Sequence, residues 1–238
     1  MKLVIYSDDA KARSPIVQSA LKYGFDLHVA TGTYRWYKDL ETRTRKTLEV
    51  LETFDPKELV VVTDGHDVFV NNFAKEFREI YEEHYDGKIV FQSEHQNWPD
   101  PRLEKKCLEK FTDPDGYSFL CFGMHVGTVE QLVELYRKGL WLGQVDDELK
   151  QINPHLQWSF DDQLFSVIQY LERDDIVVDG NCYLCQSMQA PALQSSDIGF
   201  TPDFVVNIKK NTRPVFVHGH GNVQIKEIYD SVVKRYGY

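Results

Sequence analysis

The chain opens on a short, unbroken apolar run. KLVIYS (2–7) is too brief for a helix and carries no polar face, so it reads as a buried strand. ARSPIVQSALKYG (12–24) follows with helical spacing, Ser14 at the N-cap, Pro15 in the first turn and Gly24 at the stop. FDLHVAT (25–31) alternates like a strand, and DLETRTRKTLEVLETF (39–54) spaces Leu40, Leu48, Leu51 and Phe54 close to a helical period. ELVVVTD (58–64) is strand, AKEFREIYEEHY (74–85) is an amphipathic helix and KIVFQSE (88–94) is strand again. Strand alternating with helix at this spacing predicts an α/β fold, a parallel sheet of right-handed βαβ units.

The rhythm loosens after residue 100. FLCFGMHVG (119–127) reads as a strand broken by glycine. TVEQLVELYRKG (128–139) reads as a helix opened by a Thr128–Gln131 capping box and closed by Gly139. DDQLFSVIQYLE (161–172) is a further helix, and RPVFVHGHG (213–221) a late strand running into a His/Gly loop. No repeat and no Pro-, Gly- or Ser-rich linker divides the chain, so residues 1–238 are expected to form one domain.

Composition narrows the classes of function. With 238 residues and 42% apolar content there is ample material for a core. A formal charge of −10 argues against nucleic acid as the main partner and means that a phosphate-bearing ligand needs a local cation. Lys209-Lys210 reads as solvated surface rather than that cation. No stretch approaches the ~20 apolar residues of a membrane span. The start, MKLVIYSDDA, turns polar too early for a signal peptide, which favours a cytoplasmic setting. Cys182 and Cys185 have redox or zinc spacing, but no second Cys/His pair stands at zinc-finger distance. All four cysteines are expected to be structural. The sequence leaves open whether the chain forms a homo-oligomer.

Chemistry is expected where strands end, because ligands of open parallel sheets bind at the carboxyl edge. In VVVTDGHDVFV (60–70) an apolar strand delivers Asp64 and Asp67 to that edge. Two carboxylates in one turn can hold Mg²⁺ or Mn²⁺ and leave positions for phosphate oxygens; the plainer reading is a turn cap and a solvated acid. His218 also follows an apolar strand, with Gly219 and Gly221 letting backbone approach a ligand, and an imidazole tilts the choice toward Mn²⁺. Asp161 and Asp162 open a helix, where the macrodipole alone can account for them; the alternative is a carboxylate beside a reacting sugar. Tyr6 and Ser7, at the end of the first strand, offer a ring for stacking and a hydroxyl for a hydrogen bond.

Taken in order, these pieces resemble the glycosyltransferase domain of the multifunctional procollagen lysyl hydroxylases and its free-standing viral relatives. LVIYS resembles that family's first strand, and SALKYGFDLHVATG its first helix and second strand. VVVTDGHDVFV resembles its Asp-x-x-Asp metal motif, and FQSEHQNWP the strand and loop bearing an aromatic near the acceptor. FLCFGMHVG stands where the family has Gly-Gly-Phe-Ile-Gly, FDDQLF resembles the end of a poly-Asp run, and VFVHGHGNVQIK its His-Gly-Asn-Gly loop.

The resemblance implies a GT-A fold, a UDP-sugar donor and Mn²⁺, with retaining transfer of a hexose, glucose first, to galactosyl-hydroxylysine of collagen-like chains. On this reading Asp64, Asp67 and His218 hold the metal, Tyr6 and Ser7 meet the uridine, and Gly219, Gly221 and Lys226 meet the diphosphate. Asp161 and Asp162 face the sugars, and Trp98, Gly123, Met124 and Gln163 line the acceptor side. Met124 and His125 replace Gly and Phe of the family run, His220 replaces its Asn, Gln224 replaces its Lys with Lys226 two residues late, and only two aspartates remain of the acidic run. Two rivals follow: a galactosyltransferase acting on hydroxylysine directly, and a sugar- or collagen-binding module on a decayed transferase scaffold. A nucleotidyltransferase is disfavoured because SDDAKARSP, after the first strand, has no glycine.

Overall fold

A computed structural model of the chain describes residues 1–7, 14–32, 39–188, 197–201, 204–220 and 225–233, apart from the side chains of 226 and 231–233. The first apolar run forms β1 (Lys2–Ser7) and leads to α1 (Pro15–Lys22), capped by Ser14, whose hydroxyl accepts from the Val17 amide. β2 (Asp26–Thr31), α2 (Leu40–Leu51), β3 (Leu59–Asp64), β4 (Val68–Val70), α3 (Ala74–His84) and β5 (Ile89–Glu94) follow. A 3₁₀ turn and α4 (Glu104–Lys110) lead to β6 (Phe119–Thr128), α5 (Val129–Leu142) and α6 (Asp147–Ile152). The chain continues through α7 (Asp162–Glu172), β7 (Ile176–Asp179), β8 (Cys185–Ser187), β9 (Ile198–Phe200), β10 (Val205–Asn207), β11 (Phe216–His218) and α8 (Ile225–Val233).

Six strands make the central sheet in the order β2-β1-β3-β6-β5-β7. Every pairing is parallel except those of β6, which runs antiparallel to both neighbours. The carboxyl ends of β3 and β5 therefore share an edge with the beginning of β6. β3 alternates as a buried strand must: Val60 and Val62 pack with α2, α5 and α7, while Val61 packs with α1 and α3 on the opposite face. A second sheet, β4-β11-β8, brings His218 beside the loop after β3.

Several expectations change. β6 is a single strand, but its register against β5 jumps from Phe91↔His125 to Gln92↔Cys121, so residues 122–124 bulge. The bulge switches faces: Phe122 packs with the α5 and α7 layer, while Met124 sits in the opposite core with no exposed surface. The Thr128–Gln131 capping box is present, yet α5 passes Gly139 and ends at Gly143. Gly139 is a packing glycine, since a Cβ there would lie 2.7 Å from the Phe165 ring. Lys210 is not solvated surface: its ammonium is buried against Asp113 and lies 2.9 Å from Asp115. All four cysteines are free and buried. Among the described residues, no helix is long and apolar enough to cross a membrane.

Candidate active site

β3 ends at Asp64, and the turn 65–67 carries the chain into β4, whose partner β11 ends at His218. The backbone closes this junction, because the Gly219 amide donates to the Asp67 carbonyl at 2.8 Å. His218 is buried, with Nδ1 2.9 Å from Gln92 Oε1. In the neutral ring that bond places the proton on Nδ1 and leaves the Nε2 lone pair facing Asp64 Oδ2 at 3.6 Å and Asp67 Oδ2 at 3.5 Å. Nε2 of His218 and Oδ1 of Asp67 are both buried without a hydrogen-bond partner. Burial disfavours a charged imidazole at His218, yet Asp67 and Asp64 outweigh it and hold its pKa above the usual histidine value. One nitrogen and two carboxylates, with acceptors turned toward one another, fit a divalent cation of the hard or borderline class.

Across the cavity stands α7. Asp161 is its N-cap: one oxygen accepts from the Leu164 amide at 2.9 Å, the other from Trp158 Nε1 at 3.3 Å. Asp162, one residue inside, is held differently. Arg43, reaching in from α2, bonds Asp162 Oδ2 through Nε at 2.9 Å and through Nη2 at 2.6 Å. Its Nη1 reaches Asp64 Oδ1 at 2.5 Å. One buried guanidinium thus joins the strand-end carboxylate to the helix carboxylate. Burial drives the Asp162 carboxyl up to about 7, with Arg43 opposing and Asp161 and Asp64 adding to the rise.

These groups surround a cavity of about 270 Å³. Leu40, Phe122, Trp98 and Trp158 supply its apolar wall, the two indoles 6.5 Å apart between centroids. Gln163 is a strut: its amide nitrogen donates to Glu94 Oε1 at 2.7 Å and to the Leu120 carbonyl at 3.0 Å, and its oxygen accepts from the Phe122 amide at 3.2 Å. Gly123, in the bulge, lies flat against His218, and a Cβ there would overlap the imidazole.

A family model described as the PLOD GT domain matches residues 8–232. The chain belongs to this glycosyltransferase family. A PLOD-type glycosyltransferase domain accounts for the shared edge of β3, β5 and β6 with carboxylates at its rim. The uncharacterized protein R699 of Acanthamoeba polyphaga mimivirus is 30% identical over 181 residues, 75% of this chain, which spans 35% of that relative's length. Among solved structures, a glycosyltransferase involved in the glycosylation of the major capsid of PBCV-1 superposes with a TM-score of 0.54 at 12% identity, covering 97% of both chains. Mouse xyloside xylosyltransferase 1 gives 0.51 at 13%, covering 94% of this chain and 99% of that one. Both likenesses are of fold.

The tertiary structure of this PLOD-type domain gathers Asp64, His218, Asp161, Asp162, Trp98, Gly123 and Gln163 around one cavity, with Asp67 clustered against Asp64 and His218 beside it. Three expected residues, Met124, Tyr6 and Ser7, stand elsewhere. Met124 is turned into the core by the bulge. His125 is buried behind Phe122, its Nε2 2.9 Å from the Tyr136 hydroxyl, and burial lowers its pKa to about 3. Tyr6 and Ser7 end β1 as expected, but both are buried and neither borders the cavity. Gly221 lies outside the described residues, as does the side chain of Lys226; the Gly219 amide is already engaged by Asp67. Sequence reasoning missed Arg43, Glu94 and Trp158. Arg43 occupies the inward stripe of α2 with Leu40, Thr44, Thr47, Leu48 and Leu51, where an apolar residue is the rule. Glu94 ends a fully buried strand, at the same sheet edge as Asp64. Trp158 sits in a loop with no periodic signal.

Proposed function

We propose that residues 1–238 act as one Mn²⁺-dependent transferase domain that moves a hexose, glucose first, from a UDP-sugar to galactosyl-hydroxylysine of collagen-like chains, with retention. The observation that carries the reading is the pairing of two stations 119 residues apart in sequence, Arg43 and Asp162, with Arg43 also bonded to Asp64. Asp64, Asp67 and His218 would hold the metal, which as a Lewis acid supplies charge for a departing diphosphate. Arg43 adds a fixed guanidinium beside those carboxylates, the local cation that an acidic chain needs for an anionic donor. Asp162 orients the acceptor hydroxyl and stabilises positive charge developing on the sugar ring. Asp161, engaged by the Leu164 amide and Trp158, holds the helix end and the indole in place. Trp98 and Trp158 offer apolar faces to the sugars. In the retaining step the C1–O bond to the diphosphate breaks, the acceptor oxygen bonds to C1 from the same face, and the hydroxyl proton leaves with the diphosphate.

UDP release by the purified chain across a panel of UDP-sugars tests this, with and without Mn²⁺ and with and without a galactosyl-hydroxylysine peptide. Release from one donor, stimulated by Mn²⁺ and by that peptide and abolished in Asp64→Ala, is the expected result. Stimulation instead by a hydroxylysine peptide lacking galactose would make it a galactosyltransferase. Silence from folded protein that still binds collagen-like peptide would make it a binding module.

A further inference from the structure

Two side chains beside His218 have no part in the hard-ion cluster. Cys121 Sγ lies 3.9 Å from His218 Nδ1, and the ring of His220 lies 4.7 Å from that of His218 between centroids. One donor atom from each of Cys121, His218 and His220 falls within 4.8 Å of the others. Cys121, His218 and His220 all border the cavity, so an ion has a route to them. We propose that Cys121, His218 and His220 form a second metal site, which takes a thiophilic divalent ion such as Zn²⁺ and excludes the hard ion from Asp64, Asp67 and His218.

The donor set is one sulfur and two imidazoles, a zinc combination that leaves a fourth position open to water. Donors around a tetrahedral ion stand roughly 3.5 Å apart, so the three need close only modestly. Soft thiolate selects Zn²⁺ or Co²⁺ over Mn²⁺, which prefers carboxylate oxygen. Exclusion follows from the ring of His218, because a neutral imidazole has a single lone pair. With the proton on Nδ1 and donated to Gln92, the lone pair on Nε2 serves the hard cluster. With a thiophilic ion on Nδ1, the ring proton moves to Nε2, where Asp64 and Asp67 can accept it, and the thiol proton of Cys121 is released to solvent. Exclusion rests on the hard-ion reading above; occupancy of the thiophilic site does not.

The test titrates metal-free protein with Co²⁺ and reads the near-ultraviolet thiolate-to-cobalt charge-transfer band, then adds Zn²⁺ to Mn²⁺-loaded protein and reads released Mn²⁺ by electron paramagnetic resonance. The band should appear in the wild type and vanish in Cys121→Ser, and Co²⁺ affinity should fall at least tenfold in His220→Asn. Zn²⁺ should displace Mn²⁺, needing at least tenfold more in Cys121→Ser. No band from folded wild-type protein, or a band that survives in Cys121→Ser, overturns the site. Mn²⁺ that stays bound at Zn²⁺ saturation overturns the exclusion. Mn²⁺ that never binds overturns the hard-ion reading and leaves the cobalt result standing.

Discussion

Gly123 and His218 share one space: the imidazole that faces Asp64 and Asp67 lies where a side chain on Gly123 would be. The bulge in β6 brings the glycine backbone up to the ring, and Gln92 on β5 holds the ring through Nδ1. Gly123→Ala should therefore displace His218 without unfolding the sheet. Mn²⁺ affinity should fall by about 10- to 100-fold, the usual cost of disturbing what orients a ligand. Free Mn²⁺ measured by electron paramagnetic resonance checks this, and unchanged affinity would sink it.

Arg43 couples two carboxylates that burial would otherwise leave unpaired. Arg43→Ala should cost about 3–5 kcal/mol of stability, the range for removing one partner of a buried ion pair. Arg43→Lys keeps the charge but not the fork that spans both partners, so it should restore stability in part and activity poorly. Denaturant unfolding beside UDP-release rates separates the two effects.

Asp162 carries a pH dependence whose sign follows from its raised pKa. Between its ordinary value of 3.8 and about 7 the native chain keeps a proton that the unfolded chain has lost. Metal-free protein should thus lose stability as pH rises across that window, on the order of a few kcal/mol. Asp179, raised to about 6 by burial, adds to the slope in the same direction. Asp162→Asn should flatten the upper part of the curve, from about pH 6 to 7, in urea melts run with a chelator. An unchanged slope there would remove Asp162 as its source.

Mn²⁺ should bind the native state and not the unfolded chain. At a hundredfold excess over Kd that adds about 2.7 kcal/mol, which for a chain of this size raises Tm by roughly 5–10 °C. Asp64→Asn and Asp67→Asn should each abolish most of the shift. Calorimetry with Mn²⁺ and with chelator reads it directly.

Trp98 and Trp158 are expected to act on the acceptor. Replacing either by alanine should raise the acceptor KM by roughly 2- to 12-fold, the equivalent of about 0.5–1.5 kcal/mol per aromatic contact. Donor hydrolysis in the absence of acceptor should change less. A larger fall in hydrolysis than in transfer would place the indoles with the donor.

How far the sequence could be read varies by element. β1, β2, β3 and β5 and the helices between them were legible because each keeps one pattern over several residues, as in β1, β3 and α3. The antiparallel course of β6 was not, since a strand's direction depends on where the preceding α4 sends the chain, and no local pattern encodes that. Met124 was misplaced for a related reason: alternation is a rule of regular strands, and a bulge set by pairing with β5 inverts it. The second sheet was largely missed, because three-residue strands such as β4 and β8 are too short to show a period.

By itself the sequence determined the α/β layering, the strand-end aspartates and the order of motifs that marks the family, all properties of residue type and spacing. Tertiary structure decided that His218 turns an unpartnered nitrogen toward Asp64 and Asp67, and that Arg43 spans Asp64 and Asp162. The physical reason is distance along the chain. Arg43 and Asp162 are 119 residues apart, and such a bond forms only after sheet and helices have packed. The packing also excludes the water that would otherwise satisfy each charge alone.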